Sequence, residues 1–330
     1  MTTPAEKYAA AKLRGQHPIT TEFLLTFDFE FDPFQISACH AVEDGKGVLV
    51  AAPTGAGKTV VGEFAAYFAL QAGKKCFYTT PIKALSNQKY SEFVAKFGED
   101  RVGLLTGDTS INGEADILVM TTEVLRNMLY AGSNTLTNLG CVVMDEVHYL
   151  ADKFRGAVWE EVLIHLMERV QVISLSATVS NAEEFGEWLG EVRGDTEVIV
   201  SEIRPIPLFQ HVLIGSRLMD LFEQPGRINP EILQREREAI RRSSLGRNRR
   251  GRFAEPSDRM SRADIIEKLQ RENLLPAITF IFSRAGCDAA VKQCLQAGIK
   301  LTSAEERLEI VTTAQRYTQN LAEEDLEVLG

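Results

Sequence analysis

The chain has 330 residues, of which 45% are hydrophobic and 25% charged, and its formal net charge of −10 argues against a uniformly basic nucleic-acid surface. No run approaches the roughly 18 apolar residues of a membrane span, and the start of the chain lacks the apolar core of a secretory signal, so a cytoplasmic protein without a membrane partner is expected. Five scattered cysteines without a CxxC pair favour reduced thiols over a disulfide framework or a zinc site.

Short apolar runs alternate with helical patterns over residues 21–215, after a leader at 1–20. The runs are continuous and rich in Val, Ile and Leu, as strands covered on both faces require. The alternation therefore predicts an α/β fold with a mostly parallel sheet and helices on both faces. The predicted strands cover residues 47–53, 75–81, 101–107, 116–122, 140–146, 171–178 and 196–202, and the clearest helices cover 59–73, 84–98 and 181–190.

An Arg-rich connector is predicted at residues 216–263. Twelve arginines and seven acidic residues within 216–262 give a local charge of +5. A charged helix is expected at 229–242, and the polar run at 243–262 is expected to be loosely ordered.

Residues 264–330 are predicted to form the beginning of a second α/β unit. It starts with a helix at 264–276, a buried strand at 277–283 and a helix at 284–298. The last 32 residues are predicted to be helical, with Ser303 and Glu306 spaced as a capping box. These residues are too few for a second sheet, so a fragment of a longer protein is expected.

A phosphate-binding loop is predicted at residues 52–59, APTGAGKT, between a strand and a helix. Its glycines and the helix N-terminus would turn backbone N–H groups toward phosphates. Lys58 would place positive charge at the β- and γ-phosphates, and Thr59 would ligate Mg²⁺. The loop opens with Ala52, where the usual pattern has Gly. The predicted nucleotide-binding residues of the loop are Thr54, Gly55, Ala56, Gly57, Lys58 and Thr59.

An acidic pair follows another predicted strand, in CVVMDEVH at 141–148. Asp145 is expected to hold Mg²⁺, and Glu146 to orient and deprotonate an attacking water. A pair of surface carboxylates is the alternative, which the loop at 52–59 makes much less favourable. His148 is a weaker catalytic candidate, since a lone histidine is more often structural.

Two further segments have a less specific signal. The tripeptide SAT ends the strand at 171–178, where Ser176 and Thr178 could sense the γ-phosphate and couple its loss to other segments. The run GRNRRGR at 246–252 resembles the paired arginines of two-domain ATPases. It precedes the strand of the second unit, which favours a connector or an electrostatic nucleic-acid contact.

Together these motifs resemble the DExH-box helicases of superfamily two, and among them the superkiller-like RNA helicases, a group that includes the HelY-type enzymes. The resemblance covers residues 23–215 and resumes at 276–290. TTPIKALSNQKY at 79–90 is typical of the group, and RPIPLFQH and TFIFSRAGCD follow in family order. It implies a RecA-like P-loop domain, the start of a second RecA-like domain, and ATP with Mg²⁺ as cofactors.

The resemblance also implies the remaining site residues. In FEFDPFQ at 29–35, Phe29 would stack on adenine and Gln35 would bond its edge, whereas Phe31 and Phe34 are expected in the core. Segments 81–88, 106–108 and 121–123 would line a groove along the nucleic-acid backbone and grip phosphates without reading bases. Without the family, Lys83 and Gln88 would be interpreted as a solvated helix face. The implied nucleic-acid contacts are Pro81, Lys83, Gln88, Thr106, Gly107, Asp108, Thr121, Thr122, Ser283 and Arg284.

The function implied is that of an ATP-dependent RNA helicase in RNA processing or decay, acting on single-stranded RNA with an RNA-decay nuclease as a partner. A DNA helicase of the Hel308 type and a non-unwinding ATP-gated clamp or scaffold are the alternatives. A P-loop NTPase unrelated to nucleic acid would need its own signature between the loop and the acidic strand. The later family motifs, including an arginine pair in QxxGRxGR, do not occur in the sequence. We therefore expect the chain alone to bind ATP–Mg weakly, hydrolyse it poorly and unwind nothing.

Overall fold

A computed structural model describes residues 15–152, 155–177, 182–224, 226–245 and 260–318. Thr178 and the arginine run at 246–252 lie outside these described residues. The chain divides into two compact units, with the boundary between Leu208 and Phe209. None of the described helices is long and apolar enough to cross a membrane.

An eight-stranded sheet forms the centre of the first unit, with the order β4-β3-β5-β2-β6-β7-β1-β8. All neighbouring strands are parallel except the antiparallel pair β3 and β4. The predicted α/β fold of RecA-like type is therefore confirmed. The strands are β1 Gly47–Ala51, β2 Lys75–Thr80, β3 Val102–Leu105, β4 Ser110–Ile111, β5 Ile117–Thr121, β6 Leu139–Met144, β7 Gln171–Ser176 and β8 Thr196–Val200.

Helices cover both faces of this sheet. One core contains Phe64 and Phe93 and the other contains Leu125 and Trp159, and all four side chains are at most 2% exposed. Of the helices within the described residues, the first four pack on one face and the next three on the other. The helices are α1 Pro18–Leu24, α2 Pro33–Glu43, α3 Thr59–Gln71, α4 Lys83–Phe97, α5 Thr122–Tyr130, α6 Gly156–His165 and α7 Ala182–Arg193.

The strands alternate between the two cores, which explains why their sequences are apolar without interruption. On β2, Tyr78 packs in the first core and Phe77 in the second. Successive side chains of a strand point to opposite faces, so a strand covered on both faces needs apolar residues at every position. The predicted strands extend one or two residues beyond the observed C-terminal ends, because apolar and small residues continue into the following loops, as at the buried Ala52 and Pro53.

The described part of the second unit contains two short antiparallel hairpins and four helices. The helices predicted at 229–242, 264–276 and 284–298 are confirmed within a few residues. Ser303 and Glu306 form the predicted capping pair, since Glu306 N donates to Ser303 Oγ at 3.2 Å and Ser303 N to Glu306 Oε2 at 2.7 Å. The hairpins are β9 His211–Ile214 with β10 Arg217–Asp220 and β11 Phe222–Gln224 with β12 Arg227–Ile228, and the helices are α8 Pro230–Leu245, α9 Arg262–Arg271, α10 Arg284–Gln296 and α11 Ala304–Thr318.

The buried strand predicted at residues 277–283 is wrong for this structure. The segment has no strand pairing, and Ile278, Phe280 and Phe282 are 84%, 80% and 104% exposed. A strand requires a neighbour that pairs its N–H and C=O groups. No described residue provides that neighbour, so the apolar pattern alone does not produce a strand here.

Candidate functional site

The sheet brings three segments that are distant in sequence to one edge. β7 lies between β1 and β6, and all three strands are parallel. The loop at 52–59 leaves β1, Ser176 ends β7 and Asp145 follows β6. Ala52 N donates to Ser176 O at 3.2 Å, which ties the base of the loop to the central segment. Ligands of parallel α/β sheets bind at this carboxyl edge.

The loop at 52–59 depends on two left-handed glycines. Gly55 has φ +86° and Gly57 has φ +77°, conformations that glycine adopts without the penalty of a Cβ. Ala56 N donates to Pro53 O at 3.1 Å, and α3 begins directly at Thr59. The N-terminus of this 13-residue helix therefore faces the loop, as a phosphate site requires. The side chain of Thr54 is exposed beside it.

Lys58 lies buried at the base of the loop, with 9% of its surface exposed. Its Nζ donates to Ala52 O at 2.8 Å and to Pro53 O at 3.1 Å. Burial lowers the pKa of Lys58, and the carboxylates of Glu146 and Asp145 act in the opposite direction. A cation is thus held between the loop and the acidic motif, where the phosphates of a bound nucleotide would need it.

The carboxylate of Asp145 is held by donors on both oxygens. Tyr78 Oη donates to Oδ2 at 2.8 Å, and Glu146 N donates to Oδ1 at 2.9 Å. Asp145 N in turn donates to Thr79 O of β2 at 2.9 Å. Burial and the charge of Asp145 raise the pKa of the fully buried Tyr78 well above its usual range, so its hydroxyl keeps its proton and remains a donor.

Glu146 adopts a left-handed backbone conformation with φ +53°, which is uncommon for a residue with a side chain. Its Oε2 lies 3.3 Å from His148 Nδ1. That nitrogen accepts a hydrogen bond from Ala177 N at 3.5 Å, so His148 connects the acidic motif with the end of β7. A strained residue at this position is typical of a site where the backbone orients a reacting group.

Two buried oxygens in this region, Glu146 Oε2 and Ser176 Oγ, have no hydrogen-bond partner among the described residues. Buried polar atoms normally have a partner, so these two oxygens point to a ligand or water at the same edge. The hydroxyl of Thr59 and the carboxylate of Asp145 are hard oxygen donors of the kind that Mg²⁺ binds together with substrate phosphates. The residues present therefore fit a nucleotide–Mg²⁺ complex.

Gln35 anchors the N-terminus of α2 to the phosphate loop. Its Oε1 accepts from Asp32 N at 2.9 Å, and its Nε2 donates to Ala56 O at 3.2 Å and to Gly57 O at 3.0 Å. The amide is 5% exposed and engaged at both ends, so its contact with adenine stays a prediction.

The aromatic residues beside Gln35 separate into exposed and packed side chains. Phe29 is 55% exposed and contacts the rings of Phe27 and Phe31 at centroid distances of 5.3 and 4.8 Å. Phe31 and Phe34 pack against the first core, as the sequence predicts. The stacking of Phe29 on a base stays a prediction.

A second set of motif residues lies at the ends of β3, β5 and β2, which are also neighbours in the sheet. Segment 106–108 follows β3, Thr121 ends β5 and Pro81 follows β2. Lys83 Nζ pairs with Asp108 Oδ2 at 2.5 Å, and this hydrogen bond is the largest cause of the lowered pKa of Asp108. The parallel topology thus places both motif sets along one edge, where β2 of the second set adjoins β6 of the first.

Several predicted nucleic-acid residues have structural contacts of their own. Thr122 is fully buried and its Oγ1 donates to Thr80 O at 3.3 Å. The exposed Gln88 donates to Glu92 at 2.8 Å. Ser283 and Arg284 lie in the second unit, where Ser283 Oγ accepts from Gly286 N at 2.9 Å at the start of α10. Their contacts with nucleic acid stay predictions, as do those of the half-buried Thr106 and the exposed Gly107.

Three side chains at this edge were not found by sequence reasoning. Besides Tyr78, Lys89 Nζ donates to Thr59 Oγ1 at 3.2 Å, and Arg155 Nη1 donates to Pro81 O at 3.3 Å. Their partners are 67, 30 and 74 residues away in sequence, so only the folded chain brings them together. TTPIKALSNQKY includes Lys89, but its spacing gives no sign of the contact with Thr59.

The chain is similar to helicases both in its family match and in its individual relatives. Residues 32–185 match the family model of the DEAD/DEAH box helicases. The chain is 57% identical to "Probable helicase HelY" of Mycobacterium tuberculosis (strain ATCC 25618 / H37Rv), over 93% of this chain and 35% of that protein. It is 38% identical to "ATP-dependent RNA helicase mtr4" of Schizosaccharomyces pombe, over 92% of this chain and 28% of that protein. These matches confirm the resemblance to superkiller-like DExH helicases.

The chain is also similar to a human protein and to a solved helicase structure. "Superkiller complex protein 2" of Homo sapiens is 39% identical over 90% of this chain and 25% of its own length. The chain thus spans about a third or less of the length of these relatives. The crystal structure of the DUF1998 helicase MrfA has a TM-score of 0.55 at 18% identity, covering 89% of this chain and 43% of that chain, which supports the fold alone.

Proposed function

We propose that this chain, whose residues 32–185 form a DEAD/DEAH box helicase domain, supplies the ATP-binding half of an ATP-dependent RNA helicase. The observation that carries the proposal is the arrangement of both motif sets along one sheet edge. The nucleotide residues follow β1, β7 and β6, and the candidate nucleic-acid residues follow β2, β5 and β3. Because β2 of the second group pairs directly with β6 of the first, a structural change at one motif set can be passed to the other.

The proposed chemistry assigns a role to each nucleotide residue. Backbone amides of the loop and Lys58 bind the phosphates, while Thr59 and Asp145 hold the metal. When bound, Mg²⁺ would neutralise charge on the phosphate oxygens. Glu146 orients a water and accepts its proton, because its Oε2 makes no protein hydrogen bond among the described residues and lies 3.3 Å from His148 Nδ1.

Coupling between nucleotide and movement is proposed to run through the end of β7. Ala52 N donates to Ser176 O and Ala177 N donates to His148, so the loop, the central strand and the acidic motif share hydrogen bonds. A change at the phosphates would shift these contacts and alter the neighbouring segments. Thr178 is proposed to take part, although it lies outside the described residues.

RNA is proposed as the substrate because relatives at 38% and 41% identity are named RNA helicases. The groove residues Pro81, Lys83 and Thr121 would grip the backbone, which does not by itself distinguish RNA from DNA. An RNA-decay nuclease is proposed as a partner because the motifs resemble those of the superkiller-like RNA helicases, and one relative is by its name part of a superkiller complex. The RNA substrate and the nuclease partner are proposed for the full-length protein.

The test is the ATPase activity of the full-length protein with poly(A), structured RNA, single-stranded DNA and no nucleic acid. RNA should stimulate turnover more strongly than DNA. Glu146→Gln should lower kcat by at least about 100-fold while nucleotide affinity stays within about threefold, because only the proton acceptor is removed. The exposed Glu187→Gln is a matched control that should behave as wild type.

Stimulation by DNA alone would contradict the RNA assignment and favour a DNA helicase. Stimulation by neither would contradict the helicase function of this protein. Turnover by Glu146→Gln at the wild-type rate would remove Glu146 from its proposed role.

A further inference from the structure

We propose that Tyr78 is a positioning residue for the divalent metal, because its hydroxyl sets the orientation of the Asp145 carboxylate. The inference rests on the proposed function, since it takes Asp145 as the metal ligand. Tyr78 lies on β2, whereas Asp145 follows β6, and no motif assigns the tyrosine a chemical role.

The tyrosine ring is held in place by its own strand β2 and by contacts with α4 and α3. Tyr78 is fully buried on β2, and its ring packs edge-on against Phe93 of α4, with centroids 5.1 Å apart. A Cβ added to Gly62 would lie 2.8 Å from Tyr78 Cε2, so the ring also fills the space left by this glycine of α3. α3 is the helix that begins at Thr59, the other proposed metal ligand. The hydroxyl therefore has little freedom of position.

The Tyr78 hydroxyl and the backbone amide of Glu146 together set the orientation of the Asp145 carboxylate. Oδ2 accepts from Tyr78 Oη at 2.8 Å, and Oδ1 accepts from Glu146 N at 2.9 Å. One donor on each oxygen fixes the plane of the group and leaves further lone pairs on both oxygens for a cation. Groups that hold a metal ligand in this way typically change metal affinity by about 10–100-fold when they are removed.

Packing alone would not require this hydroxyl. The neighbouring Phe77 fills the opposite core with an aromatic ring and no polar atom, and most of the residues around Tyr78 are apolar. A buried hydroxyl is unfavourable unless it has a hydrogen-bond partner, and here that partner is a carboxylate at the candidate site. The phenol thus adds a contact with Asp145 that a phenylalanine of nearly the same volume would lack.

The experiment compares Tyr78→Phe with Thr79→Val in the full-length protein. Both variants remove a buried hydroxyl from β2, but Thr79 Oγ1 bonds to Val143 O at 3.2 Å and does not contact the Asp145 side chain. The readout is the binding of a fluorescent ATP analogue, titrated with Mg²⁺ and measured separately in EDTA. Thermal unfolding of each variant without nucleotide reports on folding.

We expect Tyr78→Phe to raise the half-maximal Mg²⁺ concentration by about 10–100-fold while binding in EDTA changes by less than about twofold. Thr79→Val should leave both quantities near their wild-type values. Adding Tyr78→Phe to Asp145→Asn should not change the half-maximal Mg²⁺ concentration further, since the carboxylate that Tyr78 orients is already gone.

Three outcomes would overturn the inference. One is an unchanged Mg²⁺ midpoint in Tyr78→Phe, and another is an equal shift in Thr79→Val, which would indicate a general effect of β2. The third is a further shift on the Asp145→Asn background. A wild-type protein that binds the nucleotide without any dependence on Mg²⁺ would instead contradict the metal site of the proposed function.

Discussion

At the scale of single residues, the candidate site depends on side chains held in one orientation by their neighbours. Gln35 holds the phosphate loop through two carbonyls, and Tyr78 holds Asp145 through its hydroxyl. The left-handed conformation of Glu146 directs its side chain differently from that of a residue in a regular strand. Such strain persists only where surrounding contacts enforce it.

Gly57 should be less tolerant of a side chain than Gly55, although both have positive φ. A Cβ at Gly57 would lie 2.6 Å from Gln35 Nε2, whereas a Cβ at Gly55 would meet no atom within 4 Å. Gly57→Ala should therefore displace Gln35 and weaken ATP binding by about tenfold more than Gly55→Ala. Equal dissociation constants for the two variants in a nucleotide titration would contradict this role of Gln35.

At the scale of elements, α4 and β2 connect the two halves of the carboxyl edge. α4 begins at Lys83, which pairs with Asp108, and continues to Lys89, which contacts Thr59. Near its end, Lys96 pairs with Glu63 of α3 and lies 4.1 Å from the centroid of the Phe27 ring. One rigid helix therefore contacts the candidate nucleic-acid residues, the phosphate loop and the aromatic segment before α2.

Arg193 should be a strong determinant of stability in the first unit. Its guanidinium donates to Leu166 O at 2.6 Å, to Met167 O at 2.8 Å and to Val170 O at 2.9 Å, so it binds the turn that follows α6. Arg193→Met removes charged donors from several carbonyls at once. It should lower the free energy of unfolding by about 1.5–3 kcal/mol, measured by urea denaturation.

The matched control for Arg193 is the exposed Arg169, which lies in the same turn. Arg169→Met should change the free energy of unfolding by less than about 0.5 kcal/mol. A similar loss in the two variants would show that charge in this region, and not the hydrogen bonds to carbonyls, determines the stability.

At the scale of the whole molecule, the 330-residue chain should bind ATP–Mg but show little turnover and no unwinding. Closure of two RecA-like domains around the phosphates is what the family resemblance implies for hydrolysis, and QxxGRxGR does not occur in this sequence. The check is steady-state ATPase and strand-displacement activity of the 330-residue chain beside the full-length protein. Robust RNA-stimulated turnover by the chain would mean that arginines act in trans or from 246–252.

The fold class and the nucleotide motifs could be predicted because their determinants are local. Continuous apolar runs identify strands covered on both faces, and the spacing of Gly55, Gly57 and Lys58 identifies a phosphate loop. The strand predicted at 277–283 is wrong because pairing requires a neighbour, and no local pattern contains that information.

The sequence by itself indicated the class of protein, seven of the eight strands of the first unit in their order, and the candidate residues of the two motif sets. Only the tertiary structure decided which strands are neighbours and which side chains orient the motif residues. Tyr78 and Asp145 are 67 residues apart, and their hydrogen bond depends on the pairing of β2 with β6. Motifs are local in sequence, whereas the contacts that position them depend on strand order, which arises when the sheet packs as a whole.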